Sequence, residues 1–175
     1  MEQVRIGIIG TSWWADTMYL PSLAGNEKAV VVACCGRNEE RARKLAEIWK
    51  IPQVYTDWKT MLDEEPLDAL IISTSNSTHC PITLAALEKG LHVLCEKPLA
   101  LNYAEAKRML ESAQTHQVVT MVPFTYSFVP MTQTIKRLLS EGYLGKPHHL
   151  NFRYYANFGR SPEYHWRFNK KLAGS

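Results

Sequence analysis

The chain is sparing with cysteine, and none of what it has is spaced for a metal or a dithiol. Cys34, Cys35, Cys80 and Cys95 are the four in 175 residues, and no two of them form the C-x-x-C pair that zinc sites and redox motifs share. They are expected to be reduced core residues of a cytoplasmic protein. The histidines supply no metal site either, because His148 and His149 are adjacent and would point to opposite faces of a strand. No metal is therefore expected. A block of basic residues is also missing. The formal charge of +3 is scattered, whereas nucleic-acid binding needs a concentrated patch that displaces counterions from phosphates. The N-terminus has no basic region followed by an apolar run and a cleavage site, so secretion is not expected. With 46% hydrophobic and 21% charged residues, the composition fits neither a disordered chain nor a membrane span.

What is present is a repeated alternation. Apolar runs of strand length lie at Val4 to Ile9, Ala29 to Cys35, Ala69 to Ile72, His92 to Cys95 and Val118 to Val122, with a weaker one at Gln53 to Tyr55. They are continuous, as strands buried on both faces of a parallel sheet are. Helical patterns separate them. Glu39 to Lys50 carries Ala42, Leu45, Ala46 and Trp49 on one stripe. Pro81 to Lys89 has proline near its start and Gly90 past its end. Asn102 and Glu105 form a capping-box pair for a helix running to about His116, and Pro130 opens another that Gly142 closes. Strand alternating with helix implies right-handed crossovers, so the expected class is α/β with a doubly wound parallel sheet.

The texture changes after Gly145. His148 to Tyr155 has the pattern of an exposed or half-buried strand, and Phe152, Tyr154, Tyr155, Phe158, Tyr164, Trp166 and Phe168 gather in an aromatic cluster. The expected organisation is a dinucleotide-binding domain over 1–125, a connecting helix over 126–145, and the opening of an incomplete second α/β domain over 146–175. An unfinished sheet begun at His148 would leave an unpaired edge, which implies self-association into a homo-oligomer.

The turn after the first strand is the first chemical clue. A dinucleotide-binding unit places G-x-G-x-x-G/A there, and Gly10-Thr11-Ser12-Trp13-Trp14-Ala15 fills the first and third positions with serine in the second. Ser12 is small and its hydroxyl can donate to a phosphate oxygen, while the amides and the following helix N-terminus favour negative charge. A plain tight turn is the competing interpretation. One of Trp13 and Trp14 can pack as core or wall the cofactor cleft. At the end of the second strand NAD enzymes place an acid for the ribose 2′-hydroxyl. Here the residues are Cys35-Gly36-Arg37-Asn38, and a guanidinium suits a 2′-phosphate. NADP is expected ahead of NAD, against the alternative that Arg37 is simply a solvated loop residue.

The stretches "STSNSTHC" and "GLHVLCEKPLAL" carry a resemblance to the Gfo/Idh/MocA oxidoreductases, the group of glucose-fructose oxidoreductase and inositol dehydrogenase. Glu96-Lys97-Pro98 resembles that family's E-K-P motif. Ser75-Asn76 with His79 resembles its T-P-N-x-x-H stretch, and "EGYLGKPHHLNFRYY" its crossing into the second domain. The resemblance implies a Rossmann domain holding NAD(P), a second domain forming the substrate site, and hydride transfer between nicotinamide and a sugar, cyclitol or related polyol. Lys97, at the carboxyl end of a central strand, would hydrogen-bond the substrate hydroxyl and stabilise charge on its oxygen. Pro98 restricts the residue before it and so sets the direction of Lys97. Glu96 would lie near the nicotinamide ribose, and Thr74, Asn76 and His79 along the cofactor path, with helix capping as the alternative for His79. Two departures stand out. Tyr126-Ser127-Phe128 lacks the arginine of the family's N-Y-R-F segment. "WRF" at Trp166 to Phe168 and "KKLAGS" resemble the lead-in to an Asp/His helix that the sequence does not include, so turnover is expected to be impaired. A dinucleotide-binding module without turnover is the competing function.

Overall fold

The computed structural model describes residues 3–155 and 168–173. Six strands form one wholly parallel sheet: β1 (Val4–Ile9), β2 (Ala29–Cys35), β3 (Gln53–Tyr55), β4 (Ala69–Ile72), β5 (His92–Cys95) and β6 (Thr120–Met121). Their order across the sheet is β3-β2-β1-β4-β5-β6. This is the doubly wound arrangement expected from the sequence, with the order reversing between β1 and β4. Open α/β sheets bind ligands at such a reversal, outside the carboxyl ends of the strands.

The continuous apolar runs are explained by a core on each face. Leu70 and Ile72 face one way, where Met61, Ile82, Leu87, Val93 and Met109 pack around them. Their neighbour Ile71 faces the other, with Ile6, Ile8, Cys34, Leu45 and Ile51. Successive residues of one strand thus serve opposite cores, so neither face can tolerate a polar residue. All four cysteines are buried and unpaired. Burial pushes the thiols of Cys34 up to about 11 and of Cys95 up to about 12, so they act as small apolar residues.

The helices follow from local chemistry. A π-helical turn (Ala15–Tyr19) runs into α1 (Leu20–Leu23). α2 (Glu39–Trp49) starts where the Asn38 side chain accepts the Arg41 amide, and two acids in its first turn suit its dipole. α3 (Trp58–Glu64), capped by Asp57, was not foreseen because seven residues give too short a stripe. α5 (Tyr103–His116) has the expected cap: Asn102 Oδ1 accepts the Glu105 amide at 3.0 Å. The Glu105 carboxylate accepts from Leu101 rather than from Asn102, which closes the box one residue earlier.

Two expectations are corrected. The helix expected from Pro81 is α4 (Asn76–Glu88), with Pro81 in its interior. The chain turns helical directly after β4 at an extended Ser75, five residues before the proline, and the missing proline N–H costs one bond without ending the helix. The strand expected over His148–Tyr155 is not formed. Its residues join no ladder, and Leu150, Phe152, Tyr154 and Tyr155 are exposed. An alternating pattern needs a neighbouring strand to pair with, and none is present among the described residues.

The chain divides into two compact units, Met1–Pro123 with Trp166–Ser175, and Phe124–His165. The first holds the sheet and α7 (Lys170–Ala173). The second holds a 3-10 turn (Thr125–Phe128) and α6 (Pro130–Ser140), and Tyr126 meets Tyr154 edge to face with ring centroids 6.0 Å apart. Phe158, Tyr164 and Trp166 of the aromatic cluster lie outside the described residues. Among the described residues no helix is long and apolar enough to cross a membrane, and no group of three His, Cys, Asp or Glu is placed to hold a metal.

At the amino ends of β1 and β4, Asp68 accepts from the Arg5 amide at 2.8 Å and from its guanidinium at 2.9 and 3.1 Å. The side-chain hydrogen bonds to Arg5, then the backbone one, lower the Asp68 carboxyl to about 2. Because the folded value is depressed, the contribution is complete above the ordinary carboxylate value of 3.8 and lost as pH falls toward about 2. Both side chains are more than a third exposed, so screening holds the effect under about 1 kcal/mol. Urea titrations of Asp68→Asn and wild type are expected to differ at pH 6 and to converge near pH 2.

Candidate dinucleotide and active site

The reversal point is closed by a contact that only glycine permits. Gly10 directly follows β1 with φ of +111°, and a Cβ there would lie against the Ser73 carbonyl oxygen and 2.6 Å from its carbon. The β1 turn and the β4 turn therefore meet backbone to backbone. The Gly10 amide is held by Cys35 O at 2.9 Å and the Ser73 amide by Ile9 O at 2.8 Å, so the ladder continues past the strand ends.

Beyond Gly10 the turn presents polar groups without partners. Thr11 and Ser12 are half-buried. Neither hydroxyl makes a hydrogen bond and neither amide reaches a backbone acceptor among the described residues. Across from them, the exposed Arg37 guanidinium makes no hydrogen bond or ion pair among the described residues. Gly36 between them is buried. A Cβ on it would stand 2.5 Å from Thr11 Oγ1 and 2.7 Å from Thr11 Cγ2. Thr11 thus fills the space in which a side chain at position 36 would begin.

The two tryptophans part company. Trp13 is 65% exposed. Trp14 turns inward, and its indole N–H donates to Glu96 Oε1 at 2.6 Å. Glu96, 7% exposed at the end of β5, also accepts from the Tyr19 phenol on the same oxygen and from the Lys97 amide on Oε2 at 3.0 Å. Burial first, and the Glu96 carboxylate second, push the Tyr19 phenol well above its ordinary value. It therefore stays a donor through the working pH range. Lys97 is exposed, with its ammonium 5.7 Å from the Trp14 ring centroid, within cation–π range.

The β4 side is more enclosed. His79 is 1% exposed, its ring nitrogens 3.0 Å from Pro98 O and 3.2 Å from Thr74 O. It straps the turn after β4 to the segment after Lys97. Thr78 Oγ1 contacts Thr74 Oγ1 at 2.7 Å, and the buried Asn76 donates its amide to Ala173 O at 2.7 Å. Gly10, Thr11, Ser12, Trp14, Thr74, Asn76, His79, Glu96 and Lys97 thus all stand at the carboxyl edge of β1, β4 and β5, and Arg37 at the edge of β2. Tyr19 was missed by sequence reasoning. A 3.6-residue period turns it away from Trp14, and nothing in the composition marks a π turn.

A parallel sheet reversing at a glycine turn, with unpaired donors at that turn, defines the Rossmann class of dinucleotide-binding proteins. Residues 4–124 match the oxidoreductase family with an NAD-binding Rossmann fold, and the chain belongs to that Gfo/Idh/MocA family. It is 32% identical to the levoglucosan dehydrogenase of Pseudarthrobacter phenanthrenivorans, over 100% of this chain and 47% of the relative. It is also 32% identical to the D-xylose 1-dehydrogenase (NADP(+)) 2 of Haloferax volcanii, over 78% of this chain and 42% of the relative. The crystal structure of an oxidoreductase domain protein from Kribbella flavida superposes with a TM-score of 0.90 at 32% identity, covering 100% of this chain and 50% of that one. The chain spans about half the length of the relatives it matches.

Replacing Gly10 by alanine combines left-handed backbone strain with a backbone clash. Urea unfolding of Gly10→Ala is expected to show a loss on the order of 3 kcal/mol or more. A loss under about 1 kcal/mol would mean the two turns can separate.

Proposed function

We propose that the chain is the dinucleotide-binding part of an NADP-dependent dehydrogenase that moves hydride between nicotinamide and a sugar, cyclitol or related polyol carbon. The observation that carries the cofactor choice is the end of β2. Arg37 extends there with no hydrogen bond or ion pair among the described residues, and Thr11 occupies the room that an acidic side chain at position 36 would need. A carboxylate there would repel a 2′-phosphate, whereas a guanidinium can take it through two parallel hydrogen bonds. Names of relatives that specify NADP(+), such as the Haloferax enzyme, support the same choice.

The residues present fit the cofactor. The free amides and hydroxyls of Thr11 and Ser12 would hold the diphosphate, Arg37 the 2′-phosphate, and Thr74 with Asn76 the path between. Trp13, open to solvent, would cover the outer side of the turn. When bound, the nicotinamide supplies or accepts the hydride. Lys97 is the residue assigned to chemistry: its ammonium would donate to the substrate oxygen and stabilise charge developing there during transfer. His79 would act through the segments it joins rather than by touching the cofactor, because its ring is enclosed. Polyol substrates are supported by the sugar dehydrogenases among the relatives.

Calorimetric titration with NADPH and NADH tests the cofactor choice. NADPH is expected to bind at least tenfold more tightly than NADH, and Arg37→Ala to weaken NADPH by about 10- to 100-fold while leaving NADH nearly unchanged. Equal affinities in the wild type would remove the NADP assignment. NADP⁺ reduction with a panel of polyols then separates a dehydrogenase from a module that binds without turnover.

A further inference from the structure

The π-helical turn has a geometric consequence that its neighbours exploit. In an α-helix, residues five apart lie about 140° from each other around the axis, so Trp14 and Tyr19 could not serve one acceptor. A π turn closes i to i+5 bonds and brings such residues nearly into line. The Leu20 amide donates to Ala15 O in this i to i+5 pattern. Trp14 Nε1 and Tyr19 OH consequently converge on the same Glu96 oxygen. With Lys97 N on the other oxygen, the buried carboxylate is fixed in the plane set by three donors from two elements. A second tie holds the turn: Trp49 Nε1 on α2 donates to Asp16 Oδ1 at 2.7 Å. The face of the indole that anchors Glu96 also stands 5.7 Å from the Lys97 ammonium. Lys97 itself is exposed and has no ion pair among the described residues.

We propose that Trp14 and Tyr19 are positioning residues for Lys97. The π turn locks them onto Glu96, and the indole face then holds the ammonium over the end of β5. The turn that faces the cofactor diphosphate and the group assigned to the substrate are thereby one rigid assembly, built through the side chain between them. A long, flexible lysine side chain would otherwise spread over many rotamers in solvent. An aromatic face selects among them without neutralising the charge, which a carboxylate partner would do. This inference rests on the assignment of Lys97 to substrate for its functional meaning, though the packing it describes does not.

The test uses the full chain with its lysines labelled as ¹³C-dimethyl groups, the Lys97 signal being identified by its loss in Lys97→Arg. In wild type this signal is expected upfield of the exposed lysines, displaced by the indole ring current. Trp14→Leu is expected to return it to their position. Tyr19→Phe, which keeps the ring and loses only the hydroxyl, is expected to leave it partly displaced. A wild-type Lys97 signal already among the exposed lysines overturns the proposal, whatever the fold of either variant. If polyol turnover is detected, Tyr19→Phe is expected to lower kcat by about five- to tenfold with KM for NADP⁺ within about twofold. An unchanged kcat overturns the positioning role. Lack of turnover in wild type counts against the assignment of Lys97 to substrate, and the resonance alone then decides the packing proposed here.

Discussion

The fold depends on two backbones touching where β1 and β4 end. Gly10 has no Cβ because the Ser73 carbonyl occupies its place, and this sets the spacing of the turns on either side of the sheet reversal. Every group with chemical interest is measured from that contact. Thr11 and Ser12 follow it directly, Thr74 and Asn76 follow it on the other strand, and Glu96 is pinned to Ile72 O through its amide at 2.9 Å. A parallel sheet aligns the carboxyl ends of its strands. One close approach is therefore enough to bring residues 10, 36, 74 and 97 to the same edge.

Side chains then connect what the backbone has aligned. His79 joins the β4 turn to the segment after β5, Trp14 and Tyr19 join the first turn to β5, and Trp49 with Asp16 joins α2 to the π turn. These bonds are at least partly shielded from water, so each is worth more than its exposed counterpart and leaves a costly orphan if one partner is removed. The outer charges behave differently. Arg43 with Glu39 and Arg137 with Glu141 are exposed helical pairs worth a few tenths of a kcal/mol each. Arg37 has no such partner among the described residues.

How much was legible in the sequence follows from the physics of each element. Four strands stood out because burial on both faces writes an unbroken apolar run, whereas β6, expected from Val118 to Val122, is only Thr120–Met121 and is exposed; the caps at Asn102 and Gly142 stood out because their chemistry is local. Helix α3 escaped since its seven residues, about two turns, carry too few apolar positions to show a period. The start of α4 was misplaced because Pro81 imitates a first-turn proline, while the actual start is set by how soon the chain must leave β4. His148 to Tyr155 has the alternation of a strand, yet alternation cannot supply the neighbour that a strand requires. At the site, residue types at the strand ends could be read from spacing. The Glu96 network could not, because the π turn that creates it breaks the period on which such reading relies.

Asn76 has one further chemical consequence. One N–H of its side-chain amide donates to Ala173 O across 97 positions of sequence, and an asparagine has a second N–H and a carbonyl oxygen besides. One side chain at the first turn of α4 thus fastens the end of α7, so the docking of two elements nearly a hundred positions apart rests on a single amide.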